Sequence, residues 1–220
     1  MAEKIYNCYS AGPGLFPRTI KTSEGTRRET WDEAERRVRA LNDTINEIPE
    51  FNTITPTNTD LADYPEDQQA RICLHKDLWL ARNCEITFAD VTPFGGREPD
   101  SGTVVEAVTA ALSGNLLVLW ADPLTTYAEK FADADVHPDS PLDLHYNLML
   151  EQLYYWSWET HFGFSRPVFG SLHEAVEVTA DQIDEHGLKR LPLMERIDDA
   201  SNAPAAIRAM RELLIRGSDE

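Results

Sequence analysis

The sequence predicts an α/β fold, a parallel sheet with helices packed on both faces. Apolar runs of strand length alternate with segments of helical period along most of the 220 residues. One of those runs, 115–121, is almost continuously apolar, as a strand buried on both faces is. The length suits one domain, and 42% apolar residues suffice for a core.

Residues 4–11 form the first expected strand, ending in the turn signal Ala11-Gly12-Pro13-Gly14. Residues 27–48 read as an amphipathic helix, with Trp31, Ala34, Val38, Leu41, Ile45 and Ile48 on one stripe and Pro49 as its stop. A weaker strand, 51–57, leads into a polar loop, 58–65. The next helix, 66–82, has Ala70, Leu74, Leu78 and Ala81 on its stripe. Strand 85–91 is followed by a Gly- and Pro-rich loop, then helix 103–113, ended by Gly114, and strand 115–121. Residues 122–143 form a long acidic loop, of a length that is often functional. Helix 146–156, a short strand near Val168 and helix 171–186 complete a domain over 1–186. Residues 187–220, with Ile207, Met210, Leu213 and Leu214, read as a C-terminal helical extension. Ligands in such folds lie beyond the carboxyl ends of the strands, so loops 11–16, 92–102 and 122–146 are expected to converge on one pocket.

Composition narrows the function. Against 20 basic residues stand 38 acidic ones, a net charge of −18. That surface repels a nucleic-acid polymer but not a small neutral substrate, and it also serves solubility. No run approaches the ~18 apolar residues of a membrane helix. The first residues resemble no secretory signal, so a cytoplasmic location is expected. Three cysteines and six scattered histidines show no metal-binding spacing, and no metal is expected. Gly12-Pro13-Gly14 is no dinucleotide fingerprint, because Pro17 stands where a third glycine belongs, and no P-loop follows; no cofactor is expected.

The densest chemistry lies in Pro99-Asp100-Ser101-Gly102-Thr103-Val104-Val105-Glu106, at the carboxyl end of the third strand. Glu106 is expected in the first helical turn, where the helix N-terminus favours its charged form and a carboxylate can serve as nucleophile. Gly102 permits close approach of a substrate to the backbone. Thr103-x-x-Glu106 also fits a capping box, in which Glu106 only satisfies a backbone N–H. Asp77 falls on the edge of its helix's apolar stripe, where a carboxylate is costly unless it is paired, turned to solvent or lining a pocket. Asn147 suits a helix cap, with Leu148 and Met149 as core. The aromatic run 154–158 suits core or a subunit interface.

Taken in order, these motifs resemble the nucleoside 2-deoxyribosyltransferases. Tyr9-Ser10-Ala11-Gly12-Pro13-Gly14-Leu15-Phe16 is similar to the family's Y-x-A-G-P-x-F, with one extra residue. Asp77-Leu78, Ala89-Asp90-Val91-Thr92-Pro93, the segment 99–106 and Asn147-Leu148-Met149 follow as in the family. The resemblance spans residues 4 to about 186; stretches 17–30 and 122–145 are longer than usual for the family.

The resemblance implies a flavodoxin-like, Rossmann-like sheet and retaining transfer of 2-deoxyribose between nucleobases, a reaction of nucleotide salvage. Glu106 would attack C1′ and form a deoxyribosyl ester that a second base resolves. Asp77 and Asp100 would hold or polarise the nucleoside, Asp77 nearer the base or the nucleophile and Asp100 nearer the sugar. Tyr9 would orient Glu106, and Phe16 would stack on the base. Ala11, Gly12, Asp90 and Gly102 would line the substrate site. Asn147 and Met149 would reach into a neighbouring subunit's site, in a homodimer or larger homo-oligomer. The implied partners are 2′-deoxynucleosides and free bases.

Two alternatives stand beside this. One is a hydrolase of the same fold acting on nucleoside 5′-monophosphates, which needs phosphate-binding cations; Arg97 and Ser101 are the candidates near the motifs. The other is a non-catalytic nucleotide-binding domain, which the fold alone permits.

Overall fold

The computed structural model describes residues 4–13, 17–23, 25–54, 65–94, 96–130 and 145–188. Its elements in chain order are β1 (Tyr6–Ala11), β2 (Thr19–Thr22), β3 (Gly25–Arg28), α1 (Trp31–Ile45), β4 (Phe51–Ile54), α2 (Glu66–Asn83), β5 (Ile86–Asp90), α3 (Ser101–Leu112), β6 (Leu116–Trp120), α4 (Tyr127–Lys130), α5 (Leu148–Phe162) and α6 (Leu172–His186). The Phe16 site, the body of the acidic loop over 131–144, the Leu148 side chain and the expected helix beyond 188 lie outside the described residues.

The main sheet has the order β4-β1-β5-β6, and every pairing is parallel. Every residue of β5 and β6 is buried; β6 is apolar throughout, while β5 carries the buried polar residues Thr87 and Asp90. The short strand expected near Val168 is a single parallel bridge, Phe169 to Trp120. With it, the order is that of a flavodoxin-like sheet, and the chain reverses its winding between β1 and β5. That reversal opens a crevice at their carboxyl ends.

The outer edge of β6 is closed by side chains of α5 as well as by Phe169. The Leu117 amide donates to Ser157 Oγ at 2.9 Å, and Trp158 Nε1 donates to the Leu117 carbonyl at 3.0 Å. Both edge groups are thereby satisfied without another strand. Beside them Tyr154 packs edge to face on Trp158, which meets Phe169 at a tilt, so the aromatic run 154–158 supplies core, with Trp156 left outside it. Ala107, Ala110 and Ala111 are fully buried and let α3 lie close to the sheet.

Several expectations need correction. Residues 27 and 28, expected to open the first long helix, belong instead to β3, which pairs antiparallel with β2. That helix begins after Thr30, which forms a reciprocal capping box with Glu33. Trp31 is therefore the first helical residue, where the apolar stripe has not yet met the sheet, and it is 63% exposed. Ala70 and Leu74, placed on the core stripe of α2, are also exposed; Ala81 of that stripe is buried, with Leu80 beside it. The loop after β6 contains a short helix, α4. Among the described residues no helix is long and apolar enough to cross a membrane, and no cluster could hold a metal ion.

Candidate active site

Three elements bring titratable side chains to the β1/β5 crevice. β1 carries Tyr9, α2 carries Asp77, and α3 with its cap carries Asp100 and Glu106. Tyr9 is buried in the strand, and its hydroxyl and the Glu106 carboxyl group lie close enough for each to shift the other's titration. Glu106 Oε2 is buried and has no hydrogen-bond partner among the described residues.

The capping box expected at Thr103 and Glu106 is not formed. Asp100 is the cap of α3: its Oδ2 accepts from the Thr103 amide at 3.0 Å and lies 3.3 Å from the Thr103 hydroxyl. The helix therefore starts at Ser101, and Glu106 sits in the second turn rather than the first. It is beyond the reach of the helix N-terminus, whose effect fades within one turn. The expectation of a carboxylate held ionised is overturned accordingly. Burial first, then the charge of Asp77, raise Glu106 to about 8; the Tyr9 hydroxyl lowers it and Asp100 raises it further. Asp77, half-buried in α2, is itself raised by burial, with Lys76 opposing.

Glycine is required where the cap meets the crevice. A Cβ on Gly102 would lie 2.9 Å from Asp100 Oδ2, the capping atom. Gly102→Ala is expected to push that carboxylate off the Thr103 amide at a cost of about 1 kcal/mol, and to lower turnover further because Asp100 moves. Chemical denaturation beside steady-state rates reads both effects. Gly12 is similarly confined, its Cβ position lying 3.1 Å from Asp90 Cβ. Ala11 closes β1 fully buried, paired with Ala89.

Asp90 ends β5 at 2% exposure with both oxygens engaged. Oδ1 accepts from the Thr92 amide at 3.0 Å, and Oδ2 lies 2.5 Å from Arg18 Nη2. Arg18 belongs to no motif in the sequence, and no local pattern announces that it meets a residue 72 positions away.

Asn147 caps α5, its side chain accepting from the Met149 amide at 2.9 Å. The segment entering that cap is fixed by Glu151, fully buried, which accepts from the His145 and Tyr146 amides and from the Tyr155 hydroxyl. Met149, expected in the core when read as structure alone, is 81% exposed. Asn147 and Met149 line an apolar groove of about 820 Å³ between α3 and α5, with Val105, Val108, Leu153 and Trp156. Tyr9, Asp77 and Glu106 do not line it. Tyr9, Asp77 and Asp100 thus all act on Glu106, while Asn147 and Met149 border the α3–α5 groove.

No protein-family model and no curated protein matches the chain. Among solved structures it is similar to the 2-desoxiribosyltransferase from Leishmania mexicana, at 23% sequence identity and a TM-score of 0.58, over 83% of this chain and 99% of that one. The likeness shows a shared α/β fold.

Proposed function

We propose that the protein transfers 2-deoxyribose between nucleobases through a covalent ester on Glu106. The observation that carries this reading is the buried Glu106 carboxyl group, its Oε2 without a partner among the described residues, beside Tyr9 and two more carboxyl groups at the switch point. The similar fold of a 2-desoxiribosyltransferase supports it, as does the ordered set of motifs.

The chemistry follows from the protonation states. A buried carboxyl group and a half-buried one close to it do not both ionise readily, so Asp77 and Glu106 share one proton at neutral pH. With that proton on Asp77, Glu106 is a carboxylate and Asp77 an acid. Glu106 Oε2 bonds to C1′ as the C1′–N bond breaks, and the electron pair of that bond leaves with the base. Asp77 returns a proton to the departing nitrogen, which lowers the barrier to its departure. Negative charge beside C1′ stabilises the oxocarbenium character of the transition state. An incoming base attacks C1′ from the opposite face, displaces Glu106 and gives its proton to Asp77. Two inversions give net retention.

We infer also that the site is completed across a homodimer. Asn147 and Met149 stand exposed on the rim of the apolar α3–α5 groove, which their own Glu106 does not line. A second copy seated on that groove would bring each Asn147 toward the other's nucleophile. Mixing Asn147→Ala with Glu106→Gln protein is then expected to restore about a quarter of wild-type activity, since one site in four receives both intact groups when subunits exchange at random.

The direct test is incubation with 2′-deoxyinosine and adenine, and in parallel with dCMP and no acceptor, followed by chromatography. The expected product is 2′-deoxyadenosine. Free base released from dCMP alone would indicate a nucleotide hydrolase, and two inert reactions would indicate a binding domain.

A further inference from the structure

The turn into α5 is gripped from two sides. On one side stands Glu151, fully buried, which accepts from the His145 amide at 2.9 Å and the Tyr146 amide at 3.2 Å. On the other stands Lys130, the last residue of α4 and 15 positions ahead of His145. Its Nζ donates to the His145 carbonyl at 2.6 Å and lies 3.5 Å from the centre of the Tyr146 ring. Tyr146 is itself buried. The peptide unit between His145 and Tyr146 is therefore held at both ends, its carbonyl by Lys130 and its N–H by Glu151.

Lys130 reaches this place from a turn that is fixed in its own right. The Thr126 amide donates to Glu129 Oε2 at 2.8 Å, and the Glu129 amide donates to Thr126 Oγ1 at 3.2 Å. The Lys130 amide closes the turn on the Thr126 carbonyl at 3.1 Å. Half-burying an ammonium group costs free energy: burial lowers Lys130 to about 8, with Glu98 and Glu151 opposing. A methionine would cover the Tyr146 ring without that cost. What the ammonium adds is a charge-assisted bond to the His145 carbonyl and attraction to the ring face.

The next residue is Asn147, exposed at the cap of α5. Its Oδ1 accepts from the Met149 amide at 2.9 Å. The group it has left to offer is Nδ2, a donor suited to a sugar oxygen. Asn147 and Met149 border the α3–α5 groove, and the peptide unit that leads into them sets how they stand. We propose that Lys130 is a positioning residue: by fixing the His145–Tyr146 peptide unit it presents Asn147 to the substrate of the neighbouring copy. The inference rests on the shared-site transfer reading above and adds to it the group that orders the shared element. Small displacements of a group that positions substrate are felt strongly in the rate.

The test uses Lys130→Met and Lys130→Arg, with 2′-deoxyinosine as donor and adenine as acceptor. Lys130→Met is expected to raise the donor KM roughly tenfold and to leave kcat within about threefold of wild type. Lys130→Arg keeps a cation over the ring and is expected to recover most of the loss. Lys130→Gln takes the place of Lys130→Met should that variant fail to fold. Mixing then locates the defect. Lys130→Met mixed with Glu106→Gln is expected to reach about a quarter of wild-type kcat/KM, because one site in four joins an intact Glu106 to an Asn147 held by an intact Lys130. Lys130→Met mixed with Asn147→Ala is expected to gain nothing, because both changes lie on the same presenting element. Recovery in the second mixture, or none in the first, would place the effect of Lys130 elsewhere and overturn the proposal. So would an unimpaired Lys130→Met, a loss in kcat alone, or a Lys130→Arg as impaired as Lys130→Met. If no donor is turned over, or Asn147→Ala mixed with Glu106→Gln recovers nothing, the shared-site transfer reading fails by itself, and amide hydrogen exchange decides the proposal. Faster exchange at His145, Tyr146 and Met149 in Lys130→Met, reversed in Lys130→Arg and absent from the β-sheet, sustains it; unchanged exchange there overturns it.

Discussion

Glu106→Gln is expected to abolish transfer and, at neutral pH, to make the protein more stable. The loss of activity follows from the amide's inability to form the glycosyl ester; a fall of roughly a thousandfold or more is expected for a missing nucleophile. The gain in stability follows from linkage. Glu106 is raised to about 8 in the folded protein from an ordinary value of 4.5. Between those pH values the unfolded chain has released this proton and the folded chain still binds it. Stability that is fully present below 4.5 is therefore lost progressively as pH rises to 8, and is constant above it. At pH 7 the loss is about 3 kcal/mol. Glutamine is neutral in both states, so the variant escapes this cost and keeps an acceptor for the Tyr9 hydroxyl. Thermal unfolding is expected to show Glu106→Gln several degrees above wild type at pH 7.5, with the gap closing near pH 4.5. A variant less stable at both pH values would contradict the burial that raises Glu106.

The second large effect is a pH dependence that changes direction with one substitution. In the wild type the competent form carries one proton between Asp77 and Glu106. That proton leaves as pH passes about 8, so kcat/KM is expected to fall about tenfold per unit above that point. In Asp77→Asn no proton is shared. Glu106 must ionise alone, and it does so at lower pH because the neighbouring charge that raised it is gone. The variant's rate is then expected to rise with pH to a plateau from a midpoint below 8, with the plateau lowered by the missing acid. Initial rates across pH 5 to 10 in constant ionic strength distinguish the two shapes. A wild-type profile that keeps rising through pH 9 would rule out the shared proton.

What the sequence showed and what it hid divide by range. Strand β6 was legible because burial on both faces leaves only apolar residues; β5 was legible from Ile86, Phe88 and Ala89 despite Thr87 and Asp90, and the bounds of both moved by about one residue at each end. Tyr9, Asp77, Asp100 and Glu106 were legible as residue types in ordered short motifs. Their electrostatics were not. The cap on α3 moved from Thr103 to Asp100, so Glu106 left the first turn, and its state became a matter of burial and of Asp77 on another helix. The hairpin 19–28 escaped notice because its second strand, Gly25–Arg28, is exposed throughout and shows no alternation. Arg18 escaped because its partner is distant in the chain. Met149 carried an apolar side chain that local pattern assigns to a core, yet the groove it borders lies open in a single chain.

The central claim is a covalent bond between C1′ and Glu106. The measurement that addresses it most directly is rapid acid quenching of the protein with 2′-deoxyinosine, followed by peptide mapping in a mass spectrometer. The account expects one deoxyribosyl unit on the peptide carrying Glu106, absent from Glu106→Gln and discharged when adenine is added before the quench. Turnover to 2′-deoxyadenosine with no adduct at any quench time, and with Glu106→Gln still active, would contradict it.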